Sequence, residues 1–123
     1  MIVFTSAALQ VAAFLAASRH GDFGELLAFL DPDVVMRADD AAVRAGASAE
    51  VVGARAVAKT LSGRAREARL AMLGGVVGAM WASDDGRPRV AFDFTIVNGR
   101  ITEISLHAEP AELQGLEWTE LSE

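Results

Sequence analysis

The chain contains no cysteine, no tyrosine and one lysine among its 123 residues. The absence of cysteine excludes a disulfide framework, a thiolate metal site and a thiol nucleophile. The absence of tyrosine excludes a phenolic oxyanion donor at a catalytic site. Because a chain without cysteine needs no oxidising compartment, we expect a cytoplasmic protein. The length is that of one domain, so residues 1–123 are treated as a single unit.

Basic residues are also scarce, and the formal net charge is −6. The densest basic run comprises Arg64, Arg66 and Arg69, and Glu67 dilutes it, which is typical of a solvated edge. Phosphate binding needs a clustered basic surface, so we expect no direct contact with nucleic acid. The apolar start, residues 2–17, is too short and too polar to span a membrane, and we expect no membrane partner.

The most regular pattern lies in residues 88–108, where two alternating runs flank Asn98-Gly99. Asn-Gly is the strongest short hairpin signal, because both central residues of a type I′ turn need positive φ. On the first run, one face collects the large apolar residues Val90, Phe92, Phe94 and Ile96. On the second run, the pattern predicts one face with Thr102, Ile104, Leu106 and Ala108 and the other with Ile101, Glu103, Ser105 and His107. This alternation predicts a broad antiparallel sheet with one covered face.

The residues before this hairpin are predicted to form mainly its cover. We expect helices over about 5–19, from Asp22 to Pro32 and over 53–61, a short strand over 34–36, a mobile loop over 41–50, and strands over 65–73 and 76–83. The tail, residues 111–123, is predicted to be a helical turn in which Leu113 and Leu116 pack back. Helices on one side of an antiparallel sheet define an α+β fold, and the sheet must curve around them. Candidate bends are Gly74, Gly75 and Gly78.

Four phrases of the sequence carry a family resemblance, namely residues 13–27, 30–35, 52–58 and 94–101. They resemble the SnoaL-like branch of the nuclear-transport-factor-2-like superfamily, and more narrowly the C-terminal domain of SigJ-type extracytoplasmic-function sigma factors. The resemblance implies a cone-shaped fold with a pocket at its open end and a homodimer formed through the outer face of the sheet. It also implies a regulatory role through contacts with sigma-factor core regions or RNA polymerase.

The alternation and the resemblance together predict a mostly apolar pocket between sheet and helices that takes a small apolar ligand. The predicted pocket residues are Trp81, Phe92, Phe94, Leu106, Phe14, Met36, Arg37 and Asp39. Arg37 and Asp39 are predicted to form a polar lip, although an exposed loop with local pairing is the alternative interpretation. Two distant histidines without a matching carboxylate spacing predict no metal site, and we expect no cofactor.

No residue is predicted to be catalytic. Asp93 is expected on the outer face, paired across strands or at a dimer interface; the alternative is a pocket acid, which a bulge that reverses the faces would produce. Ser105, His107 and Glu103 alternate on one face about 7 Å apart, which is too far for a triad. Trp118 in the polar tail is expected either to dock a partner or to pack on the sheet.

The sequence therefore favours a non-catalytic SnoaL-like module that resembles the regulatory domain of a sigma factor. It would act by protein contacts, with a small ligand as a further regulator. The alternative is a stand-alone isomerase, dehydratase or cyclase acting on a hydrophobic ring compound. A protein that only binds a ligand is the third hypothesis, since fold alone does not define function.

Overall fold

The structure, a computed structural model, describes residues 6–63 and 68–121. Within these ranges the helices are α1 (Ser6–His20), α2 (Phe23–Phe29), α3 (Asp40–Arg44), α4 (Ala54–Leu61) and α5 (Pro110–Gly115). The strands are β1 (Leu30–Ala38), β2 (Glu50–Val52), β3 (Arg69–Leu73), β4 (Val76–Ala82), β5 (Pro88–Val97), β6 (Arg100–His107) and β7 (Trp118–Glu120). None of the helices in these ranges has the length and apolar character needed to cross a membrane.

The described strands form one curved, unclosed sheet in the order β2-β1-β6-β5-β4-β3-β7. Helices α1, α2 and α4 cover one face, which we call the inner face, and the opposite face is the outer face. This confirms the predicted α+β architecture of a curved sheet around N-terminal helices. One feature was not predicted: β1 pairs with β6 in parallel, whereas the other neighbours are antiparallel.

The Asn98-Gly99 turn joins β5 and β6 as predicted, with φ of 50° and 77° at its two central residues. A bulge beside this turn changes the predicted faces of β6. Ile96 pairs with Ile101, but Thr95 pairs with Glu103, so one residue of β6 is passed over. Ile101 is therefore fully buried, and its predicted place on the face of Glu103, Ser105 and His107 is wrong. Because a bulge adds one residue to one strand, the side chains before the bulge lie on the opposite face from the one that simple alternation predicts.

Two predicted boundaries near the first strand are also wrong. Helix α2 ends at Phe29 rather than at Pro32, and β1 is a nine-residue strand instead of a short one. The pairing of β1 with β6 is interrupted between Leu30 and Val35, and this gap accommodates Pro32, which has no N–H to donate. The predicted loop over 41–50 is wrong at its two ends, because α3 occupies residues 40–44 and β2 begins at Glu50, so only residues 45–49 lie between elements.

The tail contributes more than the predicted helical turn. Helix α5 lies on the outer face, where Leu113 packs with a cluster that includes Met80 and Ala91. Strand β7 then pairs with β3 at the edge of the sheet, placing Trp118 opposite Leu73. Trp118 thus packs on the sheet, which was one of its two predicted placements. The predicted start of the strand before Gly74, residues 65–67, lies outside the described residues.

The main core lies between the inner face and the helices. Phe14 of α1 is 2% exposed and makes edge-on ring contacts with Phe29 and Phe94. The buried Ser18 of α1 donates its hydroxyl to the Leu61 carbonyl at 2.6 Å, which ties α1 to the end of α4. A buried hydroxyl with a partner avoids the cost of a lost hydrogen bond to water.

Candidate functional site

An apolar cavity lies between the inner face of the sheet and the segment formed by residues 38–48. We call it the inner cavity; its volume is about 210 Å³. Its lining residues are Met36, Ala38, Gly46, Ala47, Ser48, Thr60, Leu61, Phe92 and Leu106. Thr60 donates its hydroxyl to the Ala56 carbonyl at 2.8 Å, so its polar atom is already engaged within α4.

A larger and more open groove of about 720 Å³ lies beside the inner cavity, at the same end of the sheet. We call it the end groove. Its lining residues are Ala41, Ala42, Arg44, Ala45, Ala47, Trp81, Pro88, Arg89, Val90, Leu106, Ala108, Pro110 and Leu113. Ala47 and Leu106 line both spaces, so the inner cavity and the end groove adjoin at these two residues.

The strand register brings the apolar walls of these spaces together. Phe92 on β5 lies directly opposite Leu106 on β6, and Val90 lies opposite Trp81 on β4. Because directly opposite residues share a face, the large side chains of three strands gather at one end of the inner face. The two-residue alternation that predicted this grouping is therefore sufficient to build one wall of the site.

Asp39 holds the opposite wall in place. Its Oδ1 accepts a hydrogen bond from the Ala42 N–H at 2.8 Å, which caps α3. Its Oδ2 accepts from the N–H groups of Ala108 at 2.8 Å and Glu109 at 3.0 Å. One carboxylate thus joins the start of α3 to the end of β6 and to the residue that precedes α5. It functions as a local structural tie, so the lip role predicted for Asp39 is not what its contacts indicate.

These contacts also determine how Asp39 titrates. Partial burial acts to raise the pKa of the Asp39 carboxyl. The three backbone N–H donors and the nearby His107 imidazole act in the opposite direction and outweigh burial, so the pKa is lowered from its ordinary value. A folded-state pKa below the unfolded one stabilises the fold at pH values above the unfolded pKa. That stabilisation is lost as the pH falls below the ordinary value of 3.8 and through the folded pKa.

Replacing Asp39 by asparagine should lower the free energy of unfolding at neutral pH by about 1–3 kcal/mol, because an amide nitrogen would face backbone donors that then lack an acceptor. The variant should also lose less stability than the wild type as the pH falls below 3.8. Urea unfolding at a series of pH values measures both effects. The neighbouring Asp40→Asn is the matched control and should change stability by no more than about 0.5 kcal/mol. Equal stability of Asp39→Asn and wild type at neutral pH would contradict the assigned role.

The structure places six of the eight predicted pocket residues in the two spaces or in the core. Met36 and Phe92 line the inner cavity, Trp81 lines the end groove and Leu106 lines both. Phe14 and Phe94 lie deeper, in the packed core, with ring centroids 5.8 Å apart. The strand pattern alone could not separate core from pocket wall, because both occupy the same face.

Arg37 lies on the outer face and not at the lip of the inner cavity. Its neighbour Met36 faces inward, and strand alternation turns Arg37 the other way. Its guanidinium bonds the carboxylates of Glu50 at 3.3 Å and Glu103 at 3.0 Å. The alternative interpretation of Arg37, local pairing on an exposed surface, fits these contacts.

A polar cluster that the sequence did not predict surrounds His107 on the outer face. His107 Nε2 lies 2.8 Å from Asp93 Oδ2, and Nδ1 lies 2.9 Å from Glu112 Oε1 of α5. Asp93 is thus paired across strands on the outer face, as predicted. The Nε2 atom is buried and makes no well-aligned hydrogen bond, although Asp93 Oδ2 lies 2.8 Å from it. Glu112 reaches His107 only because α5 folds back over the sheet, and no spacing in the sequence indicates that.

Donor atoms of Asp39, His107 and Glu112 lie within 4.8 Å of one another, which is compatible with a metal ion. The contacts nevertheless favour a structural cluster. The Asp39 carboxylate already accepts three backbone hydrogen bonds, and both imidazole nitrogens already face carboxylates. We interpret the cluster as a tie that holds α5 against the sheet.

The architecture and the inner-face pocket together define a fold class, and comparisons with known proteins agree on it. The sequence matches no protein-family model, and it matches no curated protein. Solved structures do match, and they show that the chain has a nuclear-transport-factor-2-like (NTF2-like) fold.

Three of these solved structures indicate the range of proteins that share the fold. The chain is similar to the Mycobacterium tuberculosis extracytoplasmic function sigma factor SigJ, with a TM-score of 0.66 and 23% identity over 87% of this chain. It spans 43% of the SigJ chain. It is also similar to an NTF2-like protein of unknown function from Cytophaga hutchinsonii (TM-score 0.60, 13% identity, 93% of this chain and 99% of that one). A putative isomerase from Rhodopseudomonas palustris matches with a TM-score of 0.57 and 18% identity over 90% of this chain and 96% of that one.

Proposed function

We propose that the chain is a non-catalytic module, one SnoaL-like domain in extent, that binds a small apolar molecule and acts through protein contacts. One observation carries the proposal. Among the described residues, neither the inner cavity nor the end groove is lined by an aspartate, glutamate, histidine or lysine. General acid–base catalysis needs a titratable group within hydrogen-bond reach of the substrate. A pocket without one is suited to binding alone.

The enzyme alternative has weaker support. The imidazole and carboxylates of this end of the fold, His107 with Asp93 and Glu112, meet on the outer face beneath α5. The inner cavity lies on the inner face, so the sheet itself separates these groups from a molecule bound in that cavity. A putative isomerase and a putative polyketide cyclase share the fold, but a shared fold does not transfer their chemistry.

The protein-contact part of the proposal is supported by the similarity to a sigma factor. This chain corresponds to less than half of SigJ. We propose sigma-factor core regions or RNA polymerase as the partner, and hence a cytoplasmic location. Purified RNA polymerase, with and without a sigma factor, should co-elute with the chain in size-exclusion chromatography. Separate elution in both cases would reject this partner.

Dimerisation through the outer face is a further part of the proposal, and α5 restricts where it can occur. Helix α5 covers the end of the outer face near Met80 and Ala91. The uncovered end carries three exposed valines, Val52 at 59%, Val76 at 61% and Val97 at 52%. Val76 and Val97 lie on the neighbouring strands β4 and β5, and their exposed apolar surface suits an interface. Sedimentation velocity should show a dimer that Val97→Glu dissociates; a wild-type monomer would reject it.

Filling the inner cavity should weaken the binding of a neutral apolar probe. Ala47 lines both spaces, and a phenyl group there would occupy the volume that the ligand needs. We expect Ala47→Phe to weaken the binding of phenylnaphthylamine by at least about tenfold. Enhanced fluorescence of the bound probe measures the dissociation constant.

The matched control for this experiment is Asp93→Asn, which changes a charged group on the other side of the same sheet. It should bind the probe as the wild type does, because Asp93 contacts His107 and lies outside both spaces. Loss of binding in a folded Asp93→Asn protein, or unchanged binding in Ala47→Phe, would contradict the proposed site.

A further inference from the structure

The end groove combines an apolar body with two cations. Apolar side chains from the sheet and from α5 form most of its wall, among them Trp81, Val90, Leu106 and Leu113. Arg44, at the end of α3, and Arg89, near the start of β5, are the charged residues of its described lining. The inner cavity, by contrast, has no charged residue in its described lining.

The existing contacts of both guanidinium groups leave them available to a ligand. Arg44 Nη2 lies 3.9 Å from Glu109 Oε2, beyond hydrogen-bond distance, and its side chain is 69% exposed. Arg89 donates from Nε to the Ser83 hydroxyl at 3.1 Å. Among the described residues, no carboxylate bonds the terminal nitrogens of Arg89. Neither guanidinium group is therefore hydrogen-bonded to a carboxylate, although Arg89 lies close enough to Asp85 to help lower the pKa of that carboxyl.

The position of these cations is unusual for this chain. Its formal net charge of −6 disfavours anions at long range, yet the described lining of this groove has two arginines and no carboxylate. Guanidinium groups present planar pairs of donors that match the geometry of a carboxylate. Ligand pockets commonly combine an apolar wall with a few polar groups that fix orientation.

We propose that the end groove binds a small apolar molecule carrying one anionic group, such as an aromatic carboxylate, with Arg44 and Arg89 contacting the anion. The apolar body lies against Trp81 and Leu106 and extends toward the inner cavity past Ala47. This inference rests on the proposed binding function and defines the chemical class of its ligand. The two arginines add selectivity for charge to a wall that otherwise recognises apolar surface.

Two probes that differ only by a sulfonate test this inference. Phenylnaphthylamine is neutral, and anilinonaphthalene sulfonate carries the same rings with one anionic group. We expect the wild type to bind the sulfonate roughly fivefold more tightly than the neutral probe, as is reasonable for exposed ion pairs. Because such contacts are screened by salt, the preference should decline as ionic strength rises, while binding of the neutral probe should not.

The double variant Arg44→Gln/Arg89→Gln should lose the preference for the sulfonate and bind both probes equally. The matched control is Arg100→Gln, which removes the same charge at the opposite end of the β5–β6 hairpin and should keep the preference. Equal binding of both probes by the wild type, or a preference that survives in the double variant, would overturn the anionic class and leave the binding function intact. Failure of the wild type to bind either probe would overturn both.

Discussion

Replacing Phe14 by alanine should lower the free energy of unfolding by about 4 kcal/mol. The Phe14 ring is almost completely buried, and it contacts the rings of Phe29 and Phe94 edge-on. It thus joins α1 to α2 and to the central strand β5. Its removal costs the transfer free energy of the ring and leaves a cavity that these elements can only partly close.

Urea unfolding monitored by circular dichroism measures this loss. The matched control is Leu9→Ala on the same helix, since Leu9 is 58% exposed and should cost no more than about 0.5 kcal/mol. If the two variants were equally stable, α1 would not pack on the sheet through Phe14. The face of the sheet that carries Phe94 would then not be the face covered by α1.

Gly78→Ala should destabilise the protein by about 3 kcal/mol, the upper part of the range for overpacking. A Cβ at residue 78 would lie close to the backbone oxygen of Phe92 and 2.8 Å from the Leu73 Cδ1. The side chain of Leu73 can move, but the carbonyl belongs to the paired strand and cannot move without disturbing the sheet. The missing side chain therefore lets β4 and β5 approach.

Thermal and urea unfolding of the Gly78→Ala variant test this prediction. Gly24→Ala in α2 is the control, because its added methyl would meet only ordinary contacts, the nearest at 3.8 Å. A glycine inside a helix costs about 0.5–1 kcal/mol relative to alanine, so this control should be slightly more stable than the wild type. Unchanged stability of Gly78→Ala would show that the strands do not approach as closely as described.

Local chemistry was sufficient to predict the elements whose signals lie within a few residues. The Asn98-Gly99 turn, the start of a helix at Asp22 and the antiparallel strands after Gly63 all follow from neighbouring residues. The capping of α3 was not predicted, although Asp39 is a good N-cap residue. The segment that forms α3 is short and rich in alanine, so its hydrophobic periodicity is too weak to distinguish a helix from a loop.

The rest depends on contacts between distant residues. The bulge that buries Ile101 arises from the way β5 and β6 pair. The alternation of residues within one strand does not indicate it. The same is true of the site. Trp81, Phe92, Leu106 and Met36 all lie at the two spaces described above, whereas the cluster of His107 with Glu112 requires α5 to fold back over the sheet. The role of Arg44 in the end groove likewise depends on where α3 lies.

The most direct test of a non-catalytic inner-face binding site is a titration of the isotopically labelled protein with phenylnaphthylamine, followed by amide chemical shifts. Binding between the sheet and residues 38–48 predicts saturable shift changes centred on the amides of Ala47, Leu61 and Leu106, which line the inner cavity. The amides of Val52 and Val76, exposed on the outer face, should remain unchanged. Changes centred on those two valines, or no saturable change at any amide, would contradict the binding function.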